Sequence, residues 1–245
     1  MNRTSITGLA CLLAVALTAC AGGGEPPAPS GSPASAPLEA LKEPANSMSV
    51  SPPLSPAPVS AEALAAYRAL LAGEPGALDR PPEGLELHQV TLPPAEELEY
   101  VLLDLDGDGG AELVVQMVAQ PHQFNAVFHY GDGELSCWQY DIVEMSCRDY
   151  PLEDGAMVRQ YDTGTGPNRY SNLYTVFRYL PDGETEECAS LAVHQDTQED
   201  GTEVFTYLVD DAEVDQDTFA AEFEELVGSR LLSLEDWIPA TERPG

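Results

Sequence analysis

The sequence predicts an α+β fold: one antiparallel, β-rich domain over residues 59–245 with a helix at each end. Three observations predict it. Apolar residues recur at helical spacing near the two ends, in Val59 to Ala72 and in Phe219 to Leu226. Between them lie short runs rich in β-branched and aromatic residues. Turn dipeptides such as Asp132-Gly133 and Asp182-Gly183 separate several of those runs at hairpin spacing.

In chain order, Ser60 suits the cap of the first helix, Glu62 lies early, and Leu64, Tyr67, Leu70 and Leu71 share a face. Gly73, Pro75 and Gly76 end it. Leu85 to Leu92 alternates apolar and polar residues like a half-buried strand. Tyr100 to Leu103 and Leu113 to Val118 are apolar strands around an acidic loop. Ala126 to Tyr130, the Gly131-Asp132-Gly133 turn and Leu135 to Tyr140 read as a hairpin. Met157 to Tyr161, Tyr170 to Leu180, Glu186 to His194 and Glu203 to Val209 follow as strands, with a turn at Pro181-Asp182-Gly183. Asp217 or Thr218 caps the last helix, and an amphipathic piece from Leu231 to Trp237 closes before Pro239. At strand spacing, Tyr161, Tyr170, Tyr174, Phe177 and Tyr179 read as packing residues before they read as a sugar-stacking face.

The acidic loop is Asp104-Leu-Asp106-Gly-Asp108-Gly109-Gly110-Ala-Glu112. Carboxylates at alternate positions of a short loop converge oxygens on one point, as calcium requires. Asp104, Asp106, Asp108 and Glu112 occupy positions 1, 3, 5 and 9 of an EF-hand template, and Gly109 takes the sharp turn. Position 12 is Val115 where that template needs a bidentate Glu, and the flanks read as strands. The loop therefore resembles the strand–loop–strand calcium sites of FG-GAP and VCBS-type repeats. The resemblance covers about 20 residues and implies ligation by the Asp104, Asp106, Asp108 and Glu112 side chains and a backbone oxygen near Gly110. One copy is present, which argues against a propeller. A Ca2+ ion here reads as structural.

At the N-terminus, Arg3 and the apolar run from Ile6 to Leu17 form a signal segment too short to span a bilayer. Leu17-Thr18-Ala19-Cys20 resembles the lipobox of bacterial lipoproteins, which implies removal of residues 1–19 and lipid on the Cys20 sulfur. Two or more acyl chains, at about 0.8 kcal/mol per buried methylene, anchor stably. Residues 20–58 are rich in Pro, Ala, Gly and Ser and lack aromatics, so they read as a disordered tether. Its root-mean-square reach is roughly 35 Å. The expected location is the extracytoplasmic side of a cell membrane, held by the Cys20 lipid.

The formal net charge is −32, with 42 acidic against 10 basic residues. That sign excludes nucleic acid as a partner and disfavours docking of the domain on an anionic membrane. Of five cysteines, Cys11 leaves with the signal and Cys20 carries lipid. Cys137, Cys147 and Cys188 remain in an oxidising compartment, and Cys137–Cys147 is the favoured disulfide because its spacing suits facing positions of a hairpin. Asp162-Thr163-Gly164 resembles the aspartic-protease signature, but Pro167, Asn168 and Arg169 follow where that family has apolar residues. A polar turn is the better reading. His88, His122, His129 and His194 show no metal-binding spacing. No catalytic residue emerges.

The sequence thus reads as a membrane-anchored, calcium-stabilised, non-enzymatic module whose protein or glycan ligand it does not specify. An extracytoplasmic hydrolase acting on glycan or peptide is the alternative. The substrate-binding lipoprotein of a transporter ranks lower, since those chains are larger and two-lobed.

Overall fold

The computed structural model describes residues 58–140, 147–166, 168–242 and 244. Residues 1–57, and with them the expected signal, Cys20 and nearly all of the tether, lie outside the described residues. The first helix, α1 (Ala61–Leu71), begins where expected, because the Ser60 side chain accepts a hydrogen bond from the Ala63 amide. Eleven strands follow among the described residues. β1 (Leu98–Leu103), β2 (Glu112–Met117), β3 (Gln120–Gly131), β4 (Glu134–Tyr140) and β11 (Ile238–Pro239) form one antiparallel sheet in the order β11-β1-β2-β3-β4. β5 (Cys147–Pro151), β6 (Met157–Gly166), β7 (Arg169–Tyr179), β8 (Thr185–Thr197), β9 (Glu203–Val209) and β10 (Ala212–Val214) form a second, in the order β10-β9-β8-β7-β6-β5. The second helix, α2 (Gln216–Leu226), comes after β10.

Side-chain alternation explains how these pieces stack. On β1 and β2, Tyr100, Leu113 and Val115 turn to one side and pack with Tyr67 and Leu71 of α1. Val101, Leu103 and Val114 turn to the other side and meet Met157, Phe177 and Tyr179 of the second sheet, with Leu232 and Trp237. The second sheet's opposite face presents Val158, Tyr174, Val176 and Leu191 to Phe219 and Phe223 of α2. The layers therefore run α1, first sheet, second sheet, α2.

Several elements depart from expectation for identifiable reasons. Leu85 to Leu92 is not a strand: prolines at 81, 82, 93 and 94 flank it, and Glu86 and Gln89 close a 3-10 turn over Leu87–Gln89. The cap of α2 is Asp215, whose Oδ1 accepts from the Thr218 amide at 2.8 Å, so Thr218 is the donor and not the cap. The domain does not end on a helix. After α2, two 3-10 turns at Gly228–Arg230 and Leu234–Asp236 lead into β11, which pairs with β1 through Glu99 and Pro239. β6 runs on through Gly166, which puts Asp162-Thr163-Gly164 inside a strand paired with β7, not in a turn. The β3–β4 hairpin forms as expected, with φ of 53° at Asp132 and 83° at Gly133. Cys137 faces Phe128 in the first sheet and Cys147 faces Tyr161 in the second, so their spacing does not reflect one hairpin.

His122 sits at the junction of the sheets. It is 5% exposed, its ring lies 4.2 Å from that of Tyr150 on β5, and Trp237 approaches edge-on at 6.2 Å. Burial lowers its pKa from 6.5 to about 4, more than its bond to the Asp149 backbone raises it. The folded pKa lies below the unfolded one, so this contribution is complete above pH ~6.5. It is lost as the pH falls through 6.5 towards 4, at about 1.4 kcal/mol per pH unit and about 3 kcal/mol in all. His122→Asn, compatible with the φ of 63° there, should flatten the fall in urea-unfolding stability between pH 6.5 and 5. Parallel pH profiles for the two proteins would contradict this account.

Candidate metal centre

The strands β1 and β2 pair in full register from Leu98↔Met117 to Leu103↔Glu112, and that pairing fixes both ends of the loop between them. Within the loop the backbone amides turn inward onto the aspartates. Gly107 N–H donates to Asp104 Oδ1 at 2.7 Å and Gly109 N–H to Asp104 Oδ2 at 3.1 Å. Asp108 N–H donates to Asp106 Oδ1 at 3.0 Å, and Gly110 N–H to Asp108 Oδ1 at 2.6 Å. Gly107 and Gly109 have φ of 78° and 89°, which lets the chain turn tightly enough for these bonds. One ligand atom from each of Asp104, Asp106 and Asp108 lies within 4.8 Å of the others, so these three can hold a metal ion. Asp106 Oδ2 is buried and has no hydrogen-bond partner.

Glu112 takes a different position from the three aspartates. It is 1% exposed, its Oε2 accepts from the Leu105 amide at 2.8 Å, and its Oε1 lies 2.9 Å from His129 Nδ1. Asp106, Glu112 and His129 make a second group able to hold a metal, with Asp106 common to both. The sequence reading missed His129, because 17 positions separate it from Glu112. The β2–β3 register that pairs Leu113 with Phe128 brings the two side by side. The imidazole also stacks on Trp138 at 4.3 Å and 11°.

The electrostatics follow from this packing. Burial raises the pKa of Glu112, against the hydrogen bonds from His129 and Leu105. Its bond to Glu112 raises that of His129, against burial. Burial also raises Asp106, helped by the charges of Asp108 and Asp104. A cation placed among these carboxylates would relieve both the desolvation and the mutual repulsion.

Two supports from outside the loop were not legible in the sequence. The Tyr67 hydroxyl of α1 donates to the Ala111 carbonyl at 2.8 Å, and burial followed by the Glu112 charge raises the Tyr67 pKa. Gly155, in the β5–β6 turn, packs on the loop's first residue: a Cβ there would stand 2.0 Å from the Asp104 carbonyl oxygen.

Other candidates have structural uses. Asp162 accepts from Arg148 at 3.0 Å and from Gln160 at 3.2 Å, an ion pair inside the second sheet and no protease dyad. Ser171 and His194 share a 2.7 Å hydrogen bond, but they are directly opposed residues of β7 and β8, an ordinary cross-strand pair. Gly155→Ala should cost roughly 2 kcal/mol or more, because a left-handed φ of 82° and a backbone collision act together. Gly201→Ala has the same φ but open space around it, and should cost only about 1 kcal/mol. Equal costs by chemical denaturation would show that the turn does not press on the loop.

No protein-family model matches this chain, and no curated protein and no solved structure matches it either.

Proposed function

We propose that this protein is a lipid-anchored extracytoplasmic module in which a structural Ca2+ ion staples the β1–β2 loop and which acts by binding, not by catalysis. The observation that carries the metal reading is the buried, unpartnered Asp106 Oδ2 among three carboxylates already aimed inward by four loop amides. Asp104, Asp106 and Asp108 supply hard oxygens, and the Gly110 carbonyl is the expected backbone ligand. Glu112, with both oxygens engaged by Leu105 and His129, contributes through a remaining lone pair or holds the loop in place.

Two cavities bear on the choice between binding and hydrolysis. One, of about 1050 Å3, is an aliphatic groove between the end of α1 and residues 87–96, with Leu70, Val90, Leu92 and Ala95 among its walls. The other, of about 670 Å3, lies where β4 meets the second sheet and is lined by Trp138, Tyr140, Arg159, Phe177 and Tyr179. The two described carboxylates with a raised pKa, Asp106 and Glu112, line neither. A hydrolase that works through a pair of acids needs them in the cavity that holds substrate, and a binding module does not.

At the ~0.1–1 mM affinity usual for extracellular calcium modules, millimolar Ca2+ should add on the order of 1 kcal/mol. The melting temperature should therefore rise with Ca2+ and not with Mg2+, and Asp106→Ala should abolish the rise. Identical melting curves in Ca2+ and in EDTA would sink the calcium reading. Cys20→Ser should release the protein from the membrane fraction into the medium. Continued membrane retention of that variant would rule out lipid anchoring.

A further inference from the structure

We propose that Asp106, Glu112 and His129 form a second cation position, one that takes a divalent first-row transition ion such as zinc beside the aspartate group. The inference shares Asp106 with the calcium reading but does not require calcium to bind. Its basis is the donor chemistry. Calcium sites are built from oxygen, whereas an imidazole nitrogen beside two carboxylates suits zinc and its neighbours.

The three donors lie close enough. One ligand atom of each falls within 4.8 Å of the other two. His129 Nδ1 and Glu112 Oε1 are 2.9 Å apart. Two ligands each about 2.1 Å from one ion stand roughly 3.0–3.4 Å apart, so this pair opens by only a few tenths of an ångström to admit it. Glu112 has acceptor capacity left, since a carboxylate offers about four lone-pair sites and two are engaged. Asp106 contributes a group whose Oδ2 is buried and without a hydrogen-bond partner.

The donors are also held still, as a metal site needs. Glu112 is 1% exposed and tied to the Leu105 amide. The His129 ring is stacked on Trp138, and its Nε2 edge abuts Gly131, where a Cβ would stand 2.5 Å from Nε2. That contact leaves Nδ1 as the nitrogen turned towards Glu112 and Asp106. Remaining coordination positions fall to water.

The test is equilibrium dialysis of the full chain against Zn2+ in saturating Ca2+, with melting temperature as the calcium readout. Wild type should bind zinc, and His129→Gln should weaken zinc at least about tenfold while a calcium-dependent melting shift persists. Asp108→Asn should do the reverse, and Asp106→Asn should weaken both ions. Cobalt gives a check on the wild type that needs no variant: Co2+ should shift the His129 ring protons paramagnetically. No zinc binding by wild type, equal zinc binding by wild type and His129→Gln, or unshifted His129 protons would each overturn the inference. Zinc binding that depends on His129 without any calcium effect would sustain it and overturn the calcium reading alone.

Discussion

The buried carboxylate of Glu112 is the constraint on which the rest of the site depends. A carboxylate 1% exposed must have its oxygens engaged, because an unpaired buried charge costs several kcal/mol. Glu112 meets that requirement by reaching back to the Leu105 amide and across to His129. Leu105 is itself 1% exposed and part of the core between the sheets, so the bond closes the loop end to end and seats its start in the centre of the sandwich. Tyr67 from α1 and Gly155 from the second sheet's first turn then fix the two ends of the same loop. The acidic turn is thus a joint on which all but the α2 layer converge.

That joint concentrates negative charge in a chain that already carries a formal −32. Four inward amides offset part of the repulsion between Asp104, Asp106 and Asp108, while burial, added to by neighbouring acids, raises the pKa values of Asp106 and Glu112. The few arginines are largely committed elsewhere. Arg159 clamps Asp149 with two 2.8 Å bonds, and Arg148 holds Asp162. Burial pushes the Asp154 pKa up, but its hydrogen bonds to Arg230 and the charges of Arg230 and Arg178 bring it below the ordinary range. These pairs stitch strands and turns of the second sheet together. A cation from solution is then the natural partner for the loop.

The architecture was legible where local chemistry decides it. Ser60 caps α1, Asp132-Gly133 turns β3 into β4, and the apolar runs beside the loop became β1 and β2. It was illegible where distant residues decide. Leu85 to Leu92 alternates like a strand, but flanking prolines and the reciprocal Glu86–Gln89 hydrogen bonds give a 3-10 turn. β10 is three residues long and exists because Asp210 and Asp211 adopt positive φ and fold it back on β9. At the candidate site the three aspartates could be read from their alternation alone. His129, Tyr67 and Gly155 could not, since each reaches the loop through strand register or layer packing, and composition carries no trace of either.

One residue joins the acidic loop to a cavity. Trp138 stacks on His129, whose Nδ1 faces Glu112, and it also lines the roughly 670 Å3 cavity between β4 and the second sheet. Its far neighbour is Tyr179 at 5.3 Å, and a Cβ at Gly183 would meet its indole at 2.6 Å. Rings on both faces and Gly183 against its edge fix where the Trp138 indole sits. The ring that forms one wall of the cavity is therefore also part of the packing that holds His129 against Glu112.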